Sequence, residues 1–229
     1  MGILDFFSKN KNNDKDLTRM SKREVLEDVT ETISSNINYF RVEKILNYIP
    51  LGGSFYLRIL DPTKIKEESM TYLLTSNTED VKKYLPGAYA STKEQAKALL
   101  DKHILSVATE LEIVYRICLN SGTIGYVIVG TGRMNHIRTK GRFFGFTVDF
   151  WMMEMFRGKN IATSAVSNTV KFLFDSGLDE VYALVDPENY ASQRVLEKCS
   201  FVRIPNVDWH FEDRNGNPYL YRVENPSIK

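Results

Sequence analysis

Cysteine is scarce in this chain. Its two cysteines, Cys118 and Cys199, each stand among apolar neighbours with no further Cys or His at ligand spacing. That pattern excludes a disulfide scaffold and a zinc site and predicts two buried thiols, so no metal is expected. Long hydrophobic runs are also missing. The longest candidate, Phe143 to Phe156, is broken by Thr147, Asp149 and Glu154, whereas a membrane span needs roughly 18 uninterrupted apolar residues. No membrane partner is expected. Neither sign of charge dominates: 30 Lys+Arg stand against 29 Asp+Glu, a net charge of +1. No global field therefore draws in nucleic acid or an acidic surface, and the balance points to a small or neutral ligand. The opening MGILDFFSKNKNN has no basic stretch before its short apolar patch, carries Asp5 within it, and has Phe6 where myristoylation needs Ser or Thr. It matches neither a secretory signal nor a lipidation pattern, and the expected location is the cytoplasm.

What is present fits a folded protein. With 229 residues, 43% hydrophobic and 12% aromatic, the chain buries a core of its own and is not disordered over most of its length. We read residues 1–50 as an extension and 51–229 as the main domain. Residues 5–19, rich in Asn, Lys and Asp, predict a mobile lead-in. Ser21 with Glu24 has capping-box spacing, and Val25, Val29, Ile33 and Ile37 recur every four residues, which predicts an amphipathic helix to about Tyr39. Its stripe covers either the main domain or a second copy of the chain in a homodimer.

After Gly52 and Gly53, SFYLRIL reads as a strand stopped by Asp61 and Pro62. Residues 61–92 read as loop up to a helix over about Ser91 to Val107, with Thr92 as cap and Ala96, Leu99, Leu100 and Ile104 on one face. LEIVYRICL, TIGYVIVG and FFGFTVDFWM then form an antiparallel series. From Gly158 the period becomes helical, with Ile161, Ala165, Val166, Val170, Leu173 and Phe174 on one face and Gly177 at the C-cap. VYALVD is a short buried strand, Ser192 to Cys199 a second helix, and FVRIP, VDWHF and YLYRV close the chain with a hairpin at Asn215-Gly216. The fold class is α+β, a mixed, mostly antiparallel sheet with a strand-helix-strand-helix unit in its second half.

The segment WMMEMFRGKNIATSAV runs from strand to helix through a short turn at Arg157, Gly158 and Lys159. The first N–H groups of a helix lack internal partners, and the macrodipole adds about half a positive charge there, so a phosphate is a natural ligand. Glycine lets the backbone approach closely, and the two cations add charge. The solvated-turn alternative stands beside this on residue type alone.

The run FRGKNIAT, followed by LVDPENYASQRVLEKCSF, resembles the acetyl-CoA-binding core of the GNAT acyltransferases. Arg157, Asn160 and Ala162 fall on the three marked places of the turn motif, with Asn160 where the family has Gly. Asn189, Ser192, Glu197-Lys198 and Phe201 resemble the pattern of the Rim-type ribosomal-protein N-acetyltransferases, with Ser200 where Gly is usual. The resemblance spans about Leu57 to Val223. It implies the GNAT fold, with acetyl-CoA between two splayed parallel strands. The pantetheine arm would lie along Trp151, Met152, Met153 and Met155, and the pyrophosphate on Arg157, Gly158, Lys159, Asn160, Ile161 and Ala162, with Asn189 and Ser192 on the far side. It implies direct acyl transfer to a primary amine, on a protein N-terminus or a small molecule, with a non-catalytic acyl-CoA-binding module as the rival. Asp149 is the candidate base, since Glu154 would face the other side of the strand at a period of two. The tyrosine that serves as acid in small-amine members is replaced by Leu196, which leaves Ser192 and Tyr190 as candidates. The basic loop of Arg133, His136, Arg138, Lys140 and Arg142 has no interleaved aromatics and reads as a solvated hairpin rather than a nucleic-acid site. Trp209, His210, Tyr219 and Tyr221 would lie over the substrate side.

Overall fold

Eight strands share one sheet in the order β1-β2-β3-β4-β5-β6-β8-β7. They are β1 (Tyr48–Gly52), β2 (Phe55–Ile59), β3 (Glu112–Leu119), β4 (Gly122–Gly130), β5 (Phe146–Met152), β6 (Glu180–Val185), β7 (Val202–Ile204) and β8 (Tyr219–Glu224). The computed structural model describes residues 44–132, 134, 135, 145–205 and 218–228, all within one compact unit of the chain. The lead-in, the helix expected to end near Tyr39, the loop cations Arg133, His136, Arg138, Lys140 and Arg142, and Trp209, His210 and the Asn215-Gly216 turn lie outside the described residues.

The sheet is antiparallel throughout except where β5 meets β6. That parallel pair is registered at only two positions, Phe146 with Val181 and Thr147 with Tyr182. Antiparallel β4, by contrast, stays with β5 from Gly130–Thr147 to Gly125–Met152. Past Thr147 the two parallel strands part, and their C-terminal ends form the two walls of an opening.

Each face of the sheet carries its own core. Period-two alternation sends Ile113, Tyr115 and Ile117 of β3 to one face, where they join Val127, Val129, Phe146, Val148 and Met152 under helix α4 (Ile161–Asp175). The expected stripe of α4 is largely buried, at Ile161, Ala165, Val166, Val170 and Leu173, and Gly177 closes the helix at φ 96°. Helix α5 (Tyr190–Lys198) adds Leu196. On the opposite face Val114, Tyr126, Ile128 and Trp151 meet α1 (Ile65–Ser76) and α3 (Lys93–Ala108) through Tyr72, Ala96 and Leu100. Thr92 caps α3 by accepting from Gln95 N–H at 3.2 Å.

Three expectations are corrected. Residues 61–92 are not a loop: they contain α1 and the short α2 (Glu79–Tyr84). The buried side of α1 is Glu68, Ser69, Tyr72, Thr75 and Ser76, while Met70 and Leu74 face outward, so its apolar residues carry no helical stripe. Glu68 is buried because Arg116 pairs with it and Thr123 and Tyr126 donate to it. The sheet also begins earlier than SFYLRIL, because Tyr48–Gly52 forms an edge strand. Pro50 is tolerated at an edge, and the register shifts beside it. Lastly β5 stops at Met152 and Glu154–Phe156 forms a 3-10 turn, so Met153 and Met155 lie beyond the strand and a period of two does not reach Glu154.

Candidate functional site

The parting of β5 from β6 opens a cleft of about 360 Å³ at the C-terminal ends of the two strands. The turn 157–160 and the first residues of α4 form one wall. The loop from β6 and the first turns of α5 form the other. Of the residues expected at the coenzyme, Trp151, Met152, Arg157, Gly158, Asn160, Ile161, Ala162, Asn189 and Ser192 all line it. Met153, Met155 and Lys159 do not. Met153 N–H donates to Ile124 O at 2.8 Å, Met155 is 73% exposed, and Lys159 places its ammonium over the Phe156 ring.

The backbone of the turn explains the residue types. Gly158 has φ 74°, and Asn160, in the N-cap position of α4, has φ 59° and ψ 11°. The left-handed region is open to Gly and, next best, to Asn, which is why Asn stands here where the family has glycine. Ser200 takes φ 64° at its own glycine position. No side chain caps α4, and its first intrahelical bond runs from Ser164 N–H to Asn160 O at 2.9 Å. The N–H groups of Ile161, Ala162 and Thr163 thus begin the helix without an acceptor four residues back, on this wall of the cleft. Helix α5 is built differently: Asn189 Oδ1 accepts from Ser192 N–H at 3.1 Å and caps it.

Sequence reasoning missed the roof. Asp80, Val81, Tyr84 and Leu85 of α2 line the cleft, and α2 is tied to both walls. Asp80 accepts from the Arg157 guanidinium on one side. On the other, Lys83 Nζ meets Glu188 Oε2 at 2.7 Å and Tyr84 O–H donates to Glu188 O at 3.4 Å. The Lys83 hydrogen bond holds the Glu188 carboxyl below its ordinary range. Such exposed pairs contribute little stability, so they orient the helix more than they hold it. The only signal in the sequence was the mixed charge of EDVKK, which surface helices show in general. Arg194 and Lys198 of α5 also line the cleft.

The candidate acid-base residues are spread out. Ser192 is half-buried in the cleft wall, and Tyr190 is 67% exposed outside the lining. Asp149 is half-buried at mid-strand in β5, opposite Ile128, and is not part of the lining. By strand alternation it shares a face with Trp151, which stacks on Tyr126 at 5.2 Å and donates from Nε1 to Thr75 Oγ1 at 3.3 Å. Leu196 is wholly buried. Tyr221 is buried, with its hydroxyl donating to Gln193 Oε1 at 3.4 Å, and Tyr219 stacks under Arg203. Cys118 is buried and Cys199 half-buried, and burial pushes both thiols up, Cys199 to about 11. Among the described residues no cluster of His, Cys, Asp and Glu could hold a metal ion, and no helix is long and apolar enough to cross a membrane.

Comparison with known proteins agrees with this geometry. A family model for the acetyltransferase (GNAT) domain matches residues 58–202, more than half of the chain. No curated protein matches at a significant level. Among solved structures, a RimL ribosomal L7/L12 α-N-protein acetyltransferase in complex with coenzyme A is 15% identical, with a TM-score of 0.63 over 77% of this chain and 97% of its own. A ribosomal-protein-S5-alanine acetyltransferase from Vibrio fischeri is 17% identical, with a TM-score of 0.60 over 80% and 98%. RimJ of Mycobacterium smegmatis, in complex with CoA-disulfide, is 15% identical, with a TM-score of 0.59 over 79% and 87%. At these identities the likeness is one of fold. With the family match over strands, turn and helices that build the cleft, the chain belongs to the GNAT acetyltransferase family.

Proposed function

We propose that this chain transfers an acetyl group from acetyl-CoA directly to a primary amine, and that the acceptor is the α-amino group of a protein N-terminus. The carrying observation is the uncapped start of α4 in the wall of a cleft opened by a two-residue parallel pairing. The bare N–H groups of Ile161 to Thr163 and the Gly158 turn suit a pyrophosphate, and the unpaired edge of β5 beyond Thr147 suits an amide-bearing arm. The coenzyme would supply the thioester carbonyl. The protein's work is then to align a neutral amine and take up its proton, for which Asp149 is the proposed acceptor and Ser192 the proposed group near the sulfur. The protein-acceptor reading draws on two supports: the solved structures similar to this one include the ribosomal-protein acetyltransferases named above, and Leu196 fills the tyrosine position of small-amine members with a buried apolar side chain.

The test is release of free thiol from acetyl-CoA with a panel of short peptides, polyamines and aminoglycosides. Turnover that needs a free peptide N-terminus and stops when it is blocked supports the assignment. Turnover with small amines alone moves the acceptor to that class. Calorimetric binding of coenzyme without turnover on any amine would sink the enzymatic reading.

A further inference from the structure

The asparagine at the glycine position does more than accept a left-handed backbone. Asn160 does not turn back to cap α4. Its Oδ1 accepts instead from Lys198 Nζ at 2.9 Å. Lys198 ends α5, and both residues line the cleft. Glycine at 160 would offer that ammonium no acceptor. The contact leaves two of the three Lys198 N–H donors unused by Asn160. The amide is also neutral, so it fixes the cation without cancelling its charge, as a carboxylate would. Arg157, the cation expected at the turn, is in the opposite condition, since Asp80 holds its guanidinium.

We propose that Asn160 is a positioning residue: its amide oxygen holds the Lys198 ammonium beside the bare N–H groups of α4, where it meets a phosphate of the coenzyme. This rests on the reading that a phosphate-bearing coenzyme occupies the cleft. The phosphate is either the pyrophosphate or the ribose phosphate, and the two share the chemistry of an anionic oxygen meeting an ammonium.

The experiment is calorimetric titration of the full chain with CoA at low and raised salt, for the wild type, Asn160→Gly, Lys198→Met and the double variant, with thermal midpoints for each. Lys198→Met should weaken CoA about 5- to 10-fold and flatten the salt dependence, as expected for one lost charge-assisted contact. Asn160→Gly should weaken it about threefold while the thermal midpoint holds or rises, because glycine suits φ 59° better. A loss of affinity without a loss of stability is not what a merely structural role produces. The double variant should bind no worse than Lys198→Met, because the two act as one unit. Dephospho-CoA, which lacks the ribose phosphate, separates the sources: a Lys198 effect that persists with it assigns the pyrophosphate, and one that vanishes assigns the ribose phosphate. Wild-type or tighter binding by Asn160→Gly, no effect of Lys198→Met, or additive losses would each overturn the positioning role alone. A folded wild type that binds no CoA would overturn the coenzyme reading with it.

Discussion

Helices α4 and α5 each follow one of the two parting strands, each opens at the cleft, and each has asparagine in its N-cap position. Asn189 turns its amide oxygen onto Ser192 N–H and satisfies its own helix. Asn160 sits in a left-handed turn, sends its oxygen to Lys198 and leaves the first N–H groups of α4 uncapped. The same residue type therefore serves stability on one wall and recognition on the other, and the backbone conformation at the cap decides which. At Asn189 φ is −83° and the side chain reaches its own helix, whereas at Asn160 φ is 59° and it does not.

The most direct way to invert this contrast is Ala162→Glu, which puts a carboxylate where a phosphate is expected. It should weaken CoA about 30-fold or more while the thermal midpoint stays near that of the wild type, since the favourable place of an acid in the first turn offsets the cost of putting it at a half-buried position. Calorimetry and a thermal melt check both, and unchanged affinity would refute the N–H cradle. Gly158→Val acts on the same turn through a different cause. A Cβ at Gly158 meets no atom within 4 Å, but its φ is 74°, so the cost comes from the backbone rather than from a clash. A β-branched residue there should cost about 1–3 kcal/mol and weaken CoA about tenfold by deforming the turn. On the satisfied wall, Asn189→Ala should lower stability by about 1 kcal/mol, read as a fall in midpoint of about 2–4 °C. A loss of coenzyme binding with no change in midpoint would mean that Asn189 touches ligand rather than its helix.

Ser200→Gly provides the control at the other end of α5. It relieves φ 64° outside the cleft lining and should raise stability by up to about 1 kcal/mol, leaving CoA affinity as it was. An effect confined to alkaline pH concerns Cys199, whose Sγ donates to Thr163 O at 3.4 Å and so joins the end of α5 to the first turn of α4. Burial raises its thiol to about 11, against about 8.5 in an unfolded chain. The folded state keeps the proton longer, so this contribution to stability is full below about pH 8.5 and is lost as pH rises toward 11. Urea midpoints between pH 8 and 10 should fall more steeply for the wild type than for Cys199→Ala.

The elements legible in the sequence are those rich in apolar residues: α4, whose helical stripe is buried, and the strands β3 to β6, whose near-continuous apolar runs are buried on both faces of the sheet. The turn of the site was legible because glycine between two cations at a strand-to-helix junction suits an anion, and the family motif falls on the same residues. Helix α1 was not, since the side it buries is mostly polar, with Glu68 made tolerable by Arg116 from a strand 48 residues away. Helix α2 was not either, for it holds to the cleft by charge pairs with Arg157 and Glu188, and partner choice among surface charges leaves no period to read. The same reason hid the Asn160–Lys198 contact.

The two-residue register between β5 and β6 also gives β5 two populations of backbone amide. Alternate N–H groups past Thr147 point toward β4, where an unbroken ladder runs to Met152, and these are shielded from isotope exchange for as long as the sheet survives. Their neighbours point into the gap left by β6, and their protection depends on whatever fills it. A single strand thus records two separate events in its exchange pattern, the opening of the sheet on one edge and the occupancy of the cleft on the other.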